Sequence, residues 1–184
     1  MHPARSRGPL LFCSLVLAAL PGVAAAKTLC VNPTGSNGCY STIQSAANAA
    51  ATNDVINVAA GTYAEYVVIR KPLSLLGAGA GSTIINAAKL PHGIFVDGFN
   101  HPGLNNVTIA GFTVQHALFE GILVVSASDV TIRNNTIRNN DTTSGLQFTG
   151  KLTGCPNQPG SGLYETDETG DCGGALHLVG TVNS

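Results

Sequence analysis

Asn106-Val-Thr-Ile-Ala-Gly-Phe-Thr-Val-Gln115 is answered, 23 residues later, by Asp129-Val-Thr-Ile-Arg-Asn-Asn-Thr-Ile-Arg138. Val107 aligns with Val130, Ile109 with Ile132 and Val114 with Ile137. Leu73-Ser74-Leu75-Leu76-Gly77 is a weaker earlier copy, and Gly93-Ile-Phe-Val, Gly121-Ile-Leu-Val and Ala175-Leu-His-Leu form a second related set. A fixed period of this size marks a solenoid. Each copy holds short β segments that turn one or two aliphatic side chains inward. One coil cannot bury them; coils stacked about 4.8 Å apart can. A leucine-rich repeat is the rival solenoid, but its fixed leucine scaffold is missing. The longer offsets in the second set place insertions at 98–105 and 141–173.

The corner inside the best repeat is occupied in turn by Gly77, Gly111 and Asn134. Gly and Asn best tolerate the left-handed conformation such a corner requires. Asn134, Asn135, Asn139 and Asn140 are expected to form side-chain amide ladders between coils.

Upstream, Val55-Ile56-Asn57-Val58, Tyr66-Val67-Val68-Ile69 and Thr83-Ile84-Ile85 read as further short strands. Before them, Ile43, Ala46, Ala47 and Ala50 follow the helical i, i+3, i+4, i+7 rule. Ser41 with Gln44 three residues on suggests a capping box, and the helix is expected to end near Asn53. The chain starts with Arg5 and Arg7, an apolar run Leu10 to Leu20 and Ala24-Ala25-Ala26, the order of a cleaved export signal. The apolar run is too short to span a bilayer.

The organisation expected is therefore a signal peptide at 1–26, an opening segment and capping helix at 27–53, and a solenoid at 54–184. That solenoid is expected to continue beyond Ser184, because no C-terminal cap follows the last repeat start. Removing Arg5 and Arg7 leaves 7 Lys+Arg against 10 Asp+Glu in the mature chain, a formal charge of −3. That balance excludes an electrostatic nucleic-acid binder, and no later stretch is long and apolar enough to span a membrane. Oligomeric state is not legible. Export permits disulfides among the four mature cysteines, and the short intervals favour Cys30–Cys39 and Cys155–Cys172.

The blocks Ser41-Thr-Ile-Gln-Ser-Ala-Ala, Ile56-Asn-Val-Ala-Ala-Gly-Thr-Tyr63 with Glu65, Leu75-Leu-Gly77, Thr83-Ile-Ile85 and Val130 to Asn140 resemble the pectin-lyase-like right-handed parallel β-helix repeat proteins. The resemblance covers about Ser41 to Ser184. It implies an all-β, right-handed parallel β-helix with a short N-terminal capping α-helix over its open end. It also implies a secreted or periplasmic protein with a polysaccharide partner held along one parallel-strand face. One activity of that family, pectin methyl-ester hydrolysis, is disfavoured. Glu120-Gly-Ile-Leu-Val-Val stands where the family's Gln-Ala-Val-Ala-Leu block should fall, without its Gln.

If Ile94, Val96, Ile122, Val124, Leu176 and Leu178 point inward, strand alternation turns Phe95, Asp97, Leu123, Val125 and His177 outward. Glu120 precedes its strand and is expected to be exposed at the same edge. Phe95, Asp97, Glu120 and His177 are thus the candidate substrate-binding residues, with two carboxylates available for acid–base chemistry on a sugar. Solvated side chains of an ordinary solenoid are the competing reading. In the 141–173 insertion, Glu165, Asp167, Glu168 and Asp171 are candidate Ca²⁺ ligands, although their spacing is not that of an EF-hand. No other cofactor is expected. Two functional classes follow: an enzyme of lyase, hydrolase or epimerase type, or a non-catalytic surface β-helix.

Overall fold

A computed structural model of the chain describes residues 25–140 and 175–183. The proposed export signal, the 141–173 insertion with its carboxylates, and the Cys155–Cys172 pair lie outside the described residues.

Among the described residues, three parallel sheets form the fold. Sheet I joins β1 (Thr28–Val31), β2 (Asp54–Val58), β5 (Leu73–Gly77), β8 (Asn105–Ala110) and β11 (Ser128–Arg133) in that order. Sheet II joins β3 (Gly61–Tyr63), β6 (Thr83–Asn86), β9 (Thr113–Gln115) and β12 (Thr136–Arg138). Sheet III joins β4 (Val67–Ile69), β7 (Ile94–Asp97), β10 (Ile122–Val125) and β13 (Leu176–Val179). From β2 onward the chain visits sheets I, II and III in rotation, so every turn of the chain adds one strand to each sheet. This is a parallel β-helix.

The register shows why the repeat predicts it. Val130 pairs with Val107, Ile132 with Ile109 and Ile137 with Val114, the matches made by the 23-residue offset. Columns of like aliphatics result. Ile56, Leu75 and Ile109 stack in sheet I, Val67, Ile94 and Ile122 in sheet III, and all six are fully buried. Burying each such side chain contributes roughly 1.5–3 kcal/mol. At the far end, Leu176 and Leu178 remain over 40% exposed.

The corners obey two rules where one was expected. Gly111 (φ 81°) and Asn134 (φ 55°) are left-handed, as anticipated. Gly77 is not; it is selected by space, because a Cβ there would collide with the Gly111 carbonyl of the next coil. The asparagine ladder is also different from expectation. Asn135 accepts from Phe112 N–H and donates to the Ile109 carbonyl, both at 2.9 Å. Asn140 likewise bridges Ala117 N–H and the Val114 carbonyl. Each amide ties its coil to the backbone of the previous one, satisfying groups that a corner leaves without ladder partners.

Helix α1 (Ile43–Ala49) buries Ile43, Ala46 and Ala47 against the first coil. It is shorter than expected, and its N-cap is Thr42, which accepts from Ser45 N–H, so no Ser41–Gln44 capping box forms. The helix is instead bound to the solenoid. Glu65 accepts from Ile43 N–H and Gln44 N–H, both at 2.9 Å. Gln44 is thereby freed to act as a false strand. Its side chain accepts from Val68 N–H (2.6 Å) and donates to the Val68 carbonyl (3.2 Å), closing the open edge of sheet III. Lys71 caps the other end by donating to the carbonyls of Asn48 and Ala50. Asp54 accepts from Lys27 N–H and Ala51 N–H, which hold its carboxyl below the usual carboxylate range. The Cys30–Cys39 disulfide closes the opening turn as expected. Among the described residues, no helix is long and apolar enough to cross a membrane.

Candidate functional site

The candidate site lies on the outward face of sheet III, built by register. Val68, Phe95, Leu123 and His177 occupy one column, and Asp97, Val125 and Val179 another. Two residues before the paired Val67, Ile94 and Ile122 stand Glu65, His92 and Glu120. Each coil therefore brings a titratable group to the same edge. In the first coil that group is occupied by helix α1; in the next two it is not.

The expected exposure of this face is corrected by the structure. Phe95, Leu123 and Val125 do point away from the main core, but they are buried in a second apolar cluster with Tyr66, Val68 and Val179. Asp97 and Glu120 are only 3% exposed, so neither is a solvated carboxylate at the edge. The physical reason is that three consecutive coils place large apolar side chains in one outward column, and these pack on each other. His177, with 24% side-chain exposure, is the most accessible of the four candidates.

Glu120 sits between two histidines. Its Oε2 lies 2.5 Å from Nδ1 of the fully buried His92, and its Oε1 lies 3.7 Å from Nδ1 of His177. Burial pushes the Glu120 carboxyl up, but the hydrogen bond and charge of His92, aided by His177, outweigh it and hold it below the usual range. Rings of Tyr66, Phe95 and Phe119 surround His92 at 5.7, 6.0 and 6.1 Å. Burial, with the nearby charges of Asp97 and Glu120 and against that of Arg70, pushes the Tyr66 phenol up to about 12. It is a hydrogen-bond donor at neutral pH.

Asp97 has a different environment. It accepts from Asn100 N–H and from the Asn100 amide, and its Oδ2 lies 3.6 Å from Arg70 Nε. His101 approaches its backbone carbonyl at 3.1 Å. Asp97 thus anchors the turn that leaves sheet III. Asp97 and Glu120, expected to form an acid–base pair, are divided between two clusters.

His92, Tyr66, Arg70 and His101 were not among the residues singled out by sequence. His92-Gly93 does align with Glu120-Gly121 ahead of matching strands, and that offset is the signal that finds it. Gly93 is required because a Cβ would strike the Val114 side chain. Among the described residues, no set of three or more His, Cys, Asp or Glu is grouped to hold a metal ion.

Solved structures share this architecture. A pectin methylesterase in complex with a hexasaccharide matches at a TM-score of 0.53 and 12% identity, covering 86% of this chain and 50% of that one. A carrot pectin methylesterase matches at 20% identity and TM-score 0.46, covering 61% and 40%. PemA of Erwinia chrysanthemi matches at 15% identity and TM-score 0.43, covering 59% and 46%. At these identities the likeness shows the fold alone, a right-handed parallel β-helix. The chain spans half or less of the length of these proteins. No protein-family model matches the chain, and no curated protein sequence matches it.

Proposed function

We propose that this chain belongs to an exported protein that binds or processes an acidic polysaccharide along the outward face of sheet III. The observation that carries the reading is Glu120 held between His92 and His177. With Tyr66 and the Asp97–Arg70 pair, it puts titratable groups from four successive coils on one face. Such a row runs along the helix axis, as a polymer chain would. His177 is the accessible proton-transfer group, Glu120 lies within ion-pair range of its imidazole, and His92 positions Glu120. The shared fold of a pectin methylesterase in complex with a hexasaccharide supports the substrate class. Export is supported by the signal-like N-terminus and the Cys30–Cys39 disulfide.

Incubation with polygalacturonate, pectin and alginate tests this reading. Depletion or cleavage of an acidic polymer by the wild type, reduced at least tenfold in His177→Ala, is expected. Neither binding nor cleavage of any of the three would refute it. A second reading, a non-catalytic surface β-helix, is favoured by the burial of Asp97 and Glu120 and their engagement with neighbouring side chains. It predicts binding without cleavage and no pH dependence traceable to His177.

A further inference from the structure

We infer that a cleft beside this face, lined by Ala47, Asn48, Val68, Arg70, Lys71 and His101, is a subsite for the carboxylate of a uronic acid unit. The inference rests on the polysaccharide reading above and adds a place and a charge to it. The cleft holds about 280 Å³ and lies where helix α1, the end of β4 and the turn after β7 meet. That is near the small end of ligand sites, suited to one sugar unit rather than several.

Its walls are cationic for structural reasons. Arg70 follows β4 and is 48% exposed; its Nε faces Asp97, which leaves the terminal NH₂ groups of the guanidinium fork for another acceptor. His101 is 40% exposed, with Nδ1 directed at the Asp97 carbonyl, so Nε2 is the atom left for a ligand. Lys71 adds charge while its Nζ is held on the helix carbonyls. The one carboxylate behind them, Asp97, is buried and bonded to Asn100. Lying 3.6 Å from Arg70 Nε and 3.7 Å from His101 Nδ1, it aims both side chains from behind while offsetting part of their charge. Ala47 and Val68 supply a small apolar floor for a sugar ring. A planar, forked guanidinium beside such a floor fits a carboxylate better than a point charge does.

The test is a calorimetric titration with hexagalacturonate and, in parallel, its fully methyl-esterified form. Wild type is expected to bind the acid at least tenfold more tightly than the ester. Arg70→Gln should abolish that preference in a variant that still unfolds in one cooperative transition, and Arg70→Lys should restore part of it. Acid binding by the wild type that Arg70→Gln and His101→Ala leave unchanged would overturn the subsite while the polysaccharide reading stands. No binding of either oligomer would overturn the subsite, and the absence of alginate binding as well would remove the polysaccharide reading. Displacement of the hexamer by inorganic phosphate at equal concentration would show a general anion pocket and overturn the assignment to a uronate.

Discussion

Replacing Glu120 by Gln keeps the side chain's volume and one acceptor oxygen but removes the charge between His92 and His177. Breaking a buried pair by removing one partner typically costs roughly 3–5 kcal/mol. The second histidine lies at 3.7 Å and is partly exposed, so its share is small. A loss of about 3 kcal/mol at pH 7 is expected. With a urea slope of about 2 kcal/mol/M, the unfolding midpoint should fall by about 1.5 M. The pH dependence has a definite sign. The folded-state pKa of Glu120 is depressed, so its stabilisation is fully present above the unfolded value, near 4.5, and is lost as pH falls through the folded value. The gap between wild type and Glu120→Gln should therefore narrow from pH 7 to pH 3. A penalty below about 0.5 kcal/mol at pH 7, or one that stays constant down to pH 3, would show that Glu120 is not a charged partner of His92.

Glu65→Ala removes two charge-assisted hydrogen bonds from the start of helix α1 and should cost about 2 kcal/mol. Hydrogen exchange should show faster exchange at the α1 amides, with the sheet interior unaffected; unchanged α1 protection would contradict the clamp. Cys30→Ser with Cys39→Ser opens a loop with a sequence separation of 9 and should lower stability by about 2–3 kcal/mol. Equal denaturation midpoints for the variant and the oxidised wild type would show that the bridge contributes nothing.

The scaffold was legible because its signal is repetitive and inward. Ile109 and Ile132 recur at a fixed offset since the same column of the core demands them, and the register reproduces that offset. The helix face was legible for the same reason, in Ile43, Ala46 and Ala47. Its cap was not. A local Ser41–Gln44 pairing competes with Glu65, one coil later, and the carboxylate wins because it takes two helix N–H groups together. Gly77 was assigned for conformation when clearance from Gly111 selects it, and only a folded neighbour reveals that. The geometry of the candidate site was half legible. Strand alternation put Phe95, Asp97 and His177 on the correct face, but alternation cannot say that an outward column packs on itself. Nor does it pair Glu120 with His92, a contact made by coil stacking. The burial of Asp97 and Glu120 is a property of the assembled face, so exposure was the expectation that failed.

On the proposed function, an acidic polymer lies along the outward face of sheet III. Hydrogen–deuterium exchange of the wild-type protein with and without polygalacturonate tests it most directly. Protection is expected to concentrate in 66–71, 92–101, 118–125 and 176–180, with little change along sheets I and II. Protection confined to sheets I or II, or none at saturating polymer, would contradict it.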